Sequence, residues 1–251
     1  MRSKMLLGFV ALVLAASAQA REVLVVMSPG FSFEEHRPLI EALQHEEHEV
    51  HLIGASCAAA NSGELIERLR LKDRELGGGY TVVSHGLGAT IALLAAPELQ
   101  ADEYVLLAPV LEVLPSRSMA ALAEPVIDRV IALEQEPSWV DIGLREVLLG
   151  GPKVMNGCLS MGLGREFQGW LGHGGAPLKL KQIEAFVWLG VSLGDEMSTV
   201  EATVPASRSL PNRHLVRFGI NRFDSRDFSH WDLLSDPVPL RTAARQIGRG
   251  R

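Results

Sequence analysis

The residues whose types and spacing bear most directly on chemistry are Ser84-His85-Gly86-Leu87-Gly88. They follow a short β-rich run, Tyr80-Thr81-Val82-Val83, and lead into Leu87, Ile91, Leu94 and Ala95 at helical spacing. A strand-turn-helix unit with the pattern Gly-x-Ser-x-Gly exposes a nucleophilic serine at the apex of a sharp turn. Its flanking positions are small because strand and helix pack too closely there for larger side chains. In this chain Ser84 and Gly88 are the small residues and Gly86 stands at the apex, as though serine and glycine had been exchanged. The turn is recognisable, but the attacking atom expected at its summit is absent.

Other chemistry is poorly supported. Cys57 and Cys158 form no Cys-x-x-Cys spacing, so neither a metal nor a redox motif is indicated. They could pair, closing a loop near 100 residues and adding up to ~4.7 kcal/mol; two buried free thiols are the preferred reading. Glu46-Glu47-His48-Glu49 sits at a helix-to-strand turn, where solvated charge is expected rather than a metal. Gly172-His173-Gly174-Gly175 follows no strand and reads as a turn. Trp139, Trp170 and Trp188 read as packing residues. There is no dinucleotide fingerprint or phosphate loop, so no cofactor is expected.

The elements needed to position the turn can be read along the chain. Residues 1–20 have a basic start (Arg2, Lys4), an apolar run from Met5 to Ala16, and Ala18-Gln19-Ala20 as a small-x-small cleavage site. They are expected to be a signal peptide, and the run is too short for a membrane span. Export to the periplasm or the exterior follows. Cleavage would remove two of the 24 basic residues and shift the formal net charge from −6 to −8. Such a charge disfavours nucleic acid and anionic membrane surfaces as partners.

Residues 21–251 are expected to form one α/β domain. Apolar strands are placed at 22–27, 50–54, 80–83 and 104–108, with helices at 34–46 and 64–72 between them. Strands alternating with helices predict a mostly parallel sheet flanked by helices, its strands buried on both faces and therefore apolar throughout. From about 111 to 182 the rhythm changes to glycines, prolines and helical pieces, which suggests an inserted helical cap. Strands resume at 186–193 and 215–219, and a helix at 237–247 closes the chain.

Four segments in this order carry a resemblance. Phe33 to Leu39 resembles a first helix after an oxyanion loop, and Ser84 to Ala89 a nucleophile elbow. Leu193-Gly194-Asp195-Glu196 resembles an acid-bearing turn, and Phe228 to Leu234 a histidine loop. The chain thereby resembles the α/β-hydrolase fold superfamily, in its capped esterase- and lipase-like forms, over nearly the whole of residues 21–251. The resemblance implies that His230 is the general base and Asp195, in preference to Glu196, its carboxylate partner. Asp224, Asp227 and Asp232 are assigned to a solvated loop and a helix start.

The oxyanion hole would use the Leu87 N–H with a second donor near Gly30 or Phe31. The Met27-Ser28-Pro29-Gly30 run departs from the usual His-Gly pair there, and Pro29 has no N–H to offer.

Ordinary Ser-His-Asp catalysis is therefore expected to be lost or altered. Three alternatives follow. A displaced nucleophile could act, with Ser84 or Ser160 (in Cys158-Leu159-Ser160-Met161-Gly162) as the candidates. A His/Asp general-base enzyme would use the room above His230 that Gly86 leaves for substrate. A ligand-binding pseudoenzyme would hold its ligand without reaction. The expected ligand in each case is a small acyl or apolar molecule.

Overall fold

The structure is a computed structural model that describes residues 21–54, 61–112, 161–219 and 227–249. The signal-peptide reading of residues 1–20 lies outside them, as do Cys57, Cys158, Ser160, Trp139, Asp224 and residues 113–160 of the expected cap.

Six parallel strands form one sheet in the order β2-β1-β3-β4-β5-β6. They are β1 (Glu22–Val26), β2 (Glu49–Ile53), β3 (Thr81–His85), β4 (Glu103–Leu107), β5 (Phe186–Ser192) and β6 (Arg213–Phe218). The principal helices are α1 (Phe33–His45), α2 (Ser62–Leu76), α3 (Gly86–Ala95), α4 (Met161–Gly172), α5 (Val200–Ser207), α6 (Asp232–Ser235) and α7 (Pro237–Gln246). Helix α4 falls within the range expected for a cap.

Alternation along the inner strands divides the core into two layers, because successive side chains of a strand point to opposite faces. Val23, Val25, Val83, Val105, Leu107 and Trp188 pack toward α1, α6 and α7. Leu24, Val26, Val82, Tyr104, Leu106 and Leu189 pack toward α2, α3 and α4. Burial of each such aliphatic side chain contributes ~1.5–3 kcal/mol. The edges differ from the expectation of uniformly apolar strands. β2 exposes Glu49 and Leu52, and β6 exposes Arg213, His214 and Arg217, since an edge strand lacks a neighbour on one side.

Local chemistry sets the helix limits. Ser32 and Glu35 form a capping box that starts α1 directly after the β1 loop. Asn61 caps α2, and Gly77, left-handed at φ 72°, ends it, so that helix runs longer at both ends than the sequence pattern suggests. The Glu46-to-Glu49 turn is a second correction. His48 is buried and its Nε2 lies 3.3 Å from the Ala244 carbonyl on α7, while Glu46 pairs with Arg245 at 3.1 Å. The turn is tied to α7 rather than merely solvated.

Candidate active site

Asp195 and His230 come from the turns after β5 and β6, at the carboxyl edge of the sheet. The β5 turn is narrow: a Cβ on Gly194 would stand 2.8 Å from the Phe228 carbonyl oxygen, so only glycine lets the two turns meet. Asp195 Oδ1 accepts the backbone N–H groups of Met197 and Ser198, both at 2.8 Å. Its Oδ2 lies 2.9 Å from His230 Nδ1. The Asp195 side chain is fully buried and that of His230 is 4% exposed. With Nδ1 donating to the carboxylate, the Nε2 lone pair is left as the proton acceptor.

The loop bearing His230 is shaped by its neighbours. Asp232 accepts from the Ser229 N–H at 2.9 Å and from its hydroxyl at 2.8 Å, which starts α6. Asp227 is exposed on the same loop, and Glu196 is exposed beyond Asp195. His85 Nε2 donates to the His230 carbonyl at 2.8 Å, and the two imidazole centroids are 4.4 Å apart.

The elbow has the backbone its sequence predicts. β3 ends at His85, α3 begins at Gly86, and Gly86 sits at φ +55°, in the left-handed region. A Cβ built on Gly86 would meet His230 Nε2 at 2.9 Å, His230 Cε1 at 3.4 Å and Ser28 Oγ at 3.4 Å. The ring leans into the space a serine side chain would need. This corrects the expectation that Gly86 opens room for substrate directly above the ring: the imidazole itself takes that space. Gly88 is equally constrained, since a Cβ there would lie 2.7 Å from both Ser84 Oγ and the Val26 carbonyl oxygen.

Ser84 lies away from the dyad. Its side chain is fully buried on the α3 side of β3, and its hydroxyl donates to the Val26 carbonyl at 2.6 Å. Leu87 heads α3, where first-turn N–H groups lack intrahelical acceptors. Gly30 is left-handed at φ 83°, whereas the Phe31 N–H already donates to the Ser28 carbonyl at 3.1 Å. Phe31 stacks on Trp231 at 4.7 Å and presents an edge contact to His85 at 6.2 Å.

Two residues that the sequence reading did not single out complete the site. Ser28 is 1% exposed; its hydroxyl donates to the His85 carbonyl and accepts the Gly88 N–H at 3.2 Å. The Ser28 N–H donates to His36 Nε2 at 3.0 Å, and His36 Nδ1 donates to the Ser32 carbonyl at 3.0 Å. Burial lowers the His36 pKa to about 4, against the opposing Ser32 hydrogen bond. Burial, with the nearby His230 adding to it, also drives the His85 pKa well below the ordinary histidine range. Both rings are thus neutral hydrogen-bonding struts near neutral pH. The available clue to Ser28 was register: Val26 pairs with Ser84 between β1 and β3, which sets Ser28 level with Gly86 one strand away.

An open cleft of about 770 Å³ lies elsewhere, lined by Leu111, Trp170, His173 and Pro177 among others, and none of Gly86, Asp195 or His230 lines it. His173 is exposed in the turn after α4, with Nδ1 2.6 Å from the Gly169 carbonyl. Trp188 is fully buried and Trp170 packs against the α3-side core. Among the described residues, no group of three or more His, Cys, Asp or Glu side chains is arranged to hold a metal ion. Among the same residues, no helix is long and apolar enough to cross a membrane.

No family model matches the sequence, and no curated protein matches it significantly. Solved structures do match. A monoacylglycerol lipase from Paleococcus ferrophilus is similar with a TM-score of 0.61 and 18% identity, over 90% of this chain and 91% of that one. An alpha/beta fold family hydrolase from Bacillus anthracis is similar with a TM-score of 0.61 and 12% identity, over 91% and 92%. A hydrolase from Oleispira antarctica is similar with a TM-score of 0.63 and 12% identity, over 92% of each chain. The protein has the α/β-hydrolase fold.

Proposed function

We propose that this protein uses Asp195 and His230 as a general-base pair in a site that has lost ordinary elbow-serine catalysis, acting on a small acyl or apolar molecule. The observation that carries the reading is the position of His230 Nε2, 2.9 Å from where a side chain on Gly86 would begin, with the opposite nitrogen bound to a carboxylate. A histidine so held presents Nε2 as a proton acceptor whether or not a serine stands beside it on the elbow. Two further features speak against acyl transfer through the elbow's own hydroxyl and a Phe31 oxyanion donor. Ser84, the elbow's own hydroxyl, is committed to the Val26 carbonyl, and the Phe31 N–H is committed within its loop. The fully bonded carboxylate favours a working pair over a ligand-binding relic, because a pure binding site has no need of a fixed tautomer.

The test is twofold. Nitrogen-15 NMR of labelled histidines should show the neutral His230 ring carrying its proton on Nδ1. Turnover found in a screen of small esters and carbon acids should disappear in His230→Ala. An Nε2-protonated neutral ring, or turnover indifferent to His230→Ala, would remove the general-base reading. Persistence of ligand binding with no turnover in the parent protein would support the binding reading instead. We further read residues 1–20 as an export signal, so the N-terminus of protein recovered from outside the cytoplasm should be Arg21.

A further inference from the structure

We propose that Ser28 supplies the nucleophilic hydroxyl that the elbow lacks. This rests on the reading of His230 as a base. The point where a Gly86 side chain would begin has three nearest atoms, two of the His230 ring and one the Ser28 hydroxyl oxygen at 3.4 Å. Base and hydroxyl therefore converge on the vacated apex from opposite turns of the sheet edge. The β1–β3 register puts Ser28 beside Gly86, so the serine missing from one strand end stands on the neighbouring one.

The surroundings of Ser28 suit the role. Its oxygen accepts the Gly88 N–H in the first turn of α3, where the helix dipole and the amide favour developing negative charge. Its own amide is fixed by His36, a ring kept neutral by burial and therefore constant as an acceptor near neutral pH. In the resting arrangement the hydroxyl proton is directed at the His85 carbonyl. Handing that proton to His230 Nε2 requires the hydroxyl to give up the His85 carbonyl, while the His36 tether, made by the backbone N–H, stays in place.

The chemistry balances as an ester hydrolysis. His230 Nε2 takes the Ser28 proton while Oγ bonds to the ester carbonyl carbon, and the carbonyl oxygen becomes negative near the Leu87 N–H. Collapse breaks the bond to the alcohol oxygen, which leaves with the proton from His230. Water, deprotonated by the same nitrogen, then attacks the acyl-serine. The bond to Ser28 Oγ breaks, that oxygen takes the proton back from His230, and the carboxylic acid departs and loses its own proton to water.

The full-length protein should be treated with a biotinylated fluorophosphonate and the adduct mapped by peptide mass spectrometry. The adduct is expected on Ser28, absent in Ser28→Ala, and about 10²-fold slower to form in His230→Ala, the scale of a lost general base. Because Ser28→Ala could loosen the loop, Ser28→Cys provides a second measure. Iodoacetamide should alkylate the introduced thiol, identified by its peptide against Cys57 and Cys158, and adding His230→Ala should slow that alkylation at least tenfold. An adduct on another serine overturns the proposal, as does labelling of Ser28 that His230→Ala leaves unchanged. No adduct at all in protein whose His230 shows the Nδ1–H tautomer overturns the Ser28 assignment while the general-base reading stands. The Nε2–H tautomer instead brings down both.

Discussion

The two halves of the site are built to different standards. On the side of β5 and β6, Asp195 and His230 are joined as an acid–base pair would be, with both oxygens of the carboxylate bonded and one ring nitrogen directed at the elbow. On the side of β1 and β3, the elbow keeps its left-handed backbone and its tight Gly88 contact but has no apex side chain. Its seam with the β1 loop is instead stitched by Ser28, which bonds the His85 carbonyl, the Gly88 N–H and His36. Backbone geometry and proton-accepting geometry are thus separable from the presence of a nucleophile. The turn's shape follows from packing; the reaction depends on one oxygen atom and where it is carried.

Substitutions can break this contrast at different strengths. The largest loss is expected from Asp195→Ala, which strands a buried imidazole and two backbone N–H groups. Leaving a buried donor without its acceptor costs about 1–3 kcal/mol for each group, and three are stranded together, measurable by urea unfolding. A similar loss from Glu196→Ala, whose side chain is exposed, would erase the distinction between the two carboxylates.

The stitched side should respond to pH. An unfolded His36 takes a proton near 6.5, the folded one only near about 4, so the unfolded chain binds more protons between those values. The stability His36 confers is therefore complete above pH 6.5 and is lost as pH falls toward 4, by up to about 3 kcal/mol. Burial of His85 acts in the same direction. Unfolding free energies measured from pH 7 to 4 should show this slope, and His36→Gln should flatten it.

Gly88→Ala should cost about 2 kcal/mol, because its methyl group would meet backbone at 2.7 Å where neither strand nor helix can yield cheaply. Thermal unfolding checks this, and an unchanged midpoint would mean the seam is looser than the contacts imply.

Gly86→Ser should have the smallest structural effect, about 1–2 kcal/mol for a non-glycine residue at φ +55°. It requires His230 to retreat by a few tenths of an ångström. With the dyad in place, the variant should gain weak hydrolysis of p-nitrophenyl acetate. A folded variant with no gain would show that the retained pair no longer addresses the elbow.

How far the sequence leads can be judged residue by residue. Strand-helix alternation, the turn at Gly86 and the order of elbow, acid turn and histidine loop were readable because each is a local pattern of residue types. Polar edge strands were not, because whether a strand is an edge depends on the order of the sheet rather than on its own residues. His48 illustrates a different limit: a charged-looking turn becomes buried only because α7 packs across it. Ser28 was legible only as part of the oxyanion loop and His36 only as part of the first helix, because an isolated serine after a strand and a histidine inside a helix have no pattern of their own.

Taken by itself, the amino-acid order determined that a glycine occupies the apex of a strand-to-helix turn, since small residues and hydrophobic spacing are intrinsic to the chain. Only the tertiary structure decided what faces that glycine. Parallel pairing set Ser28 level with it, and the meeting of the β5 and β6 turns, allowed by Gly194, brought Asp195 and His230 to the same edge. Contacts between residues 35 to 199 positions apart depend on sheet order and register, which no local run of residues encodes.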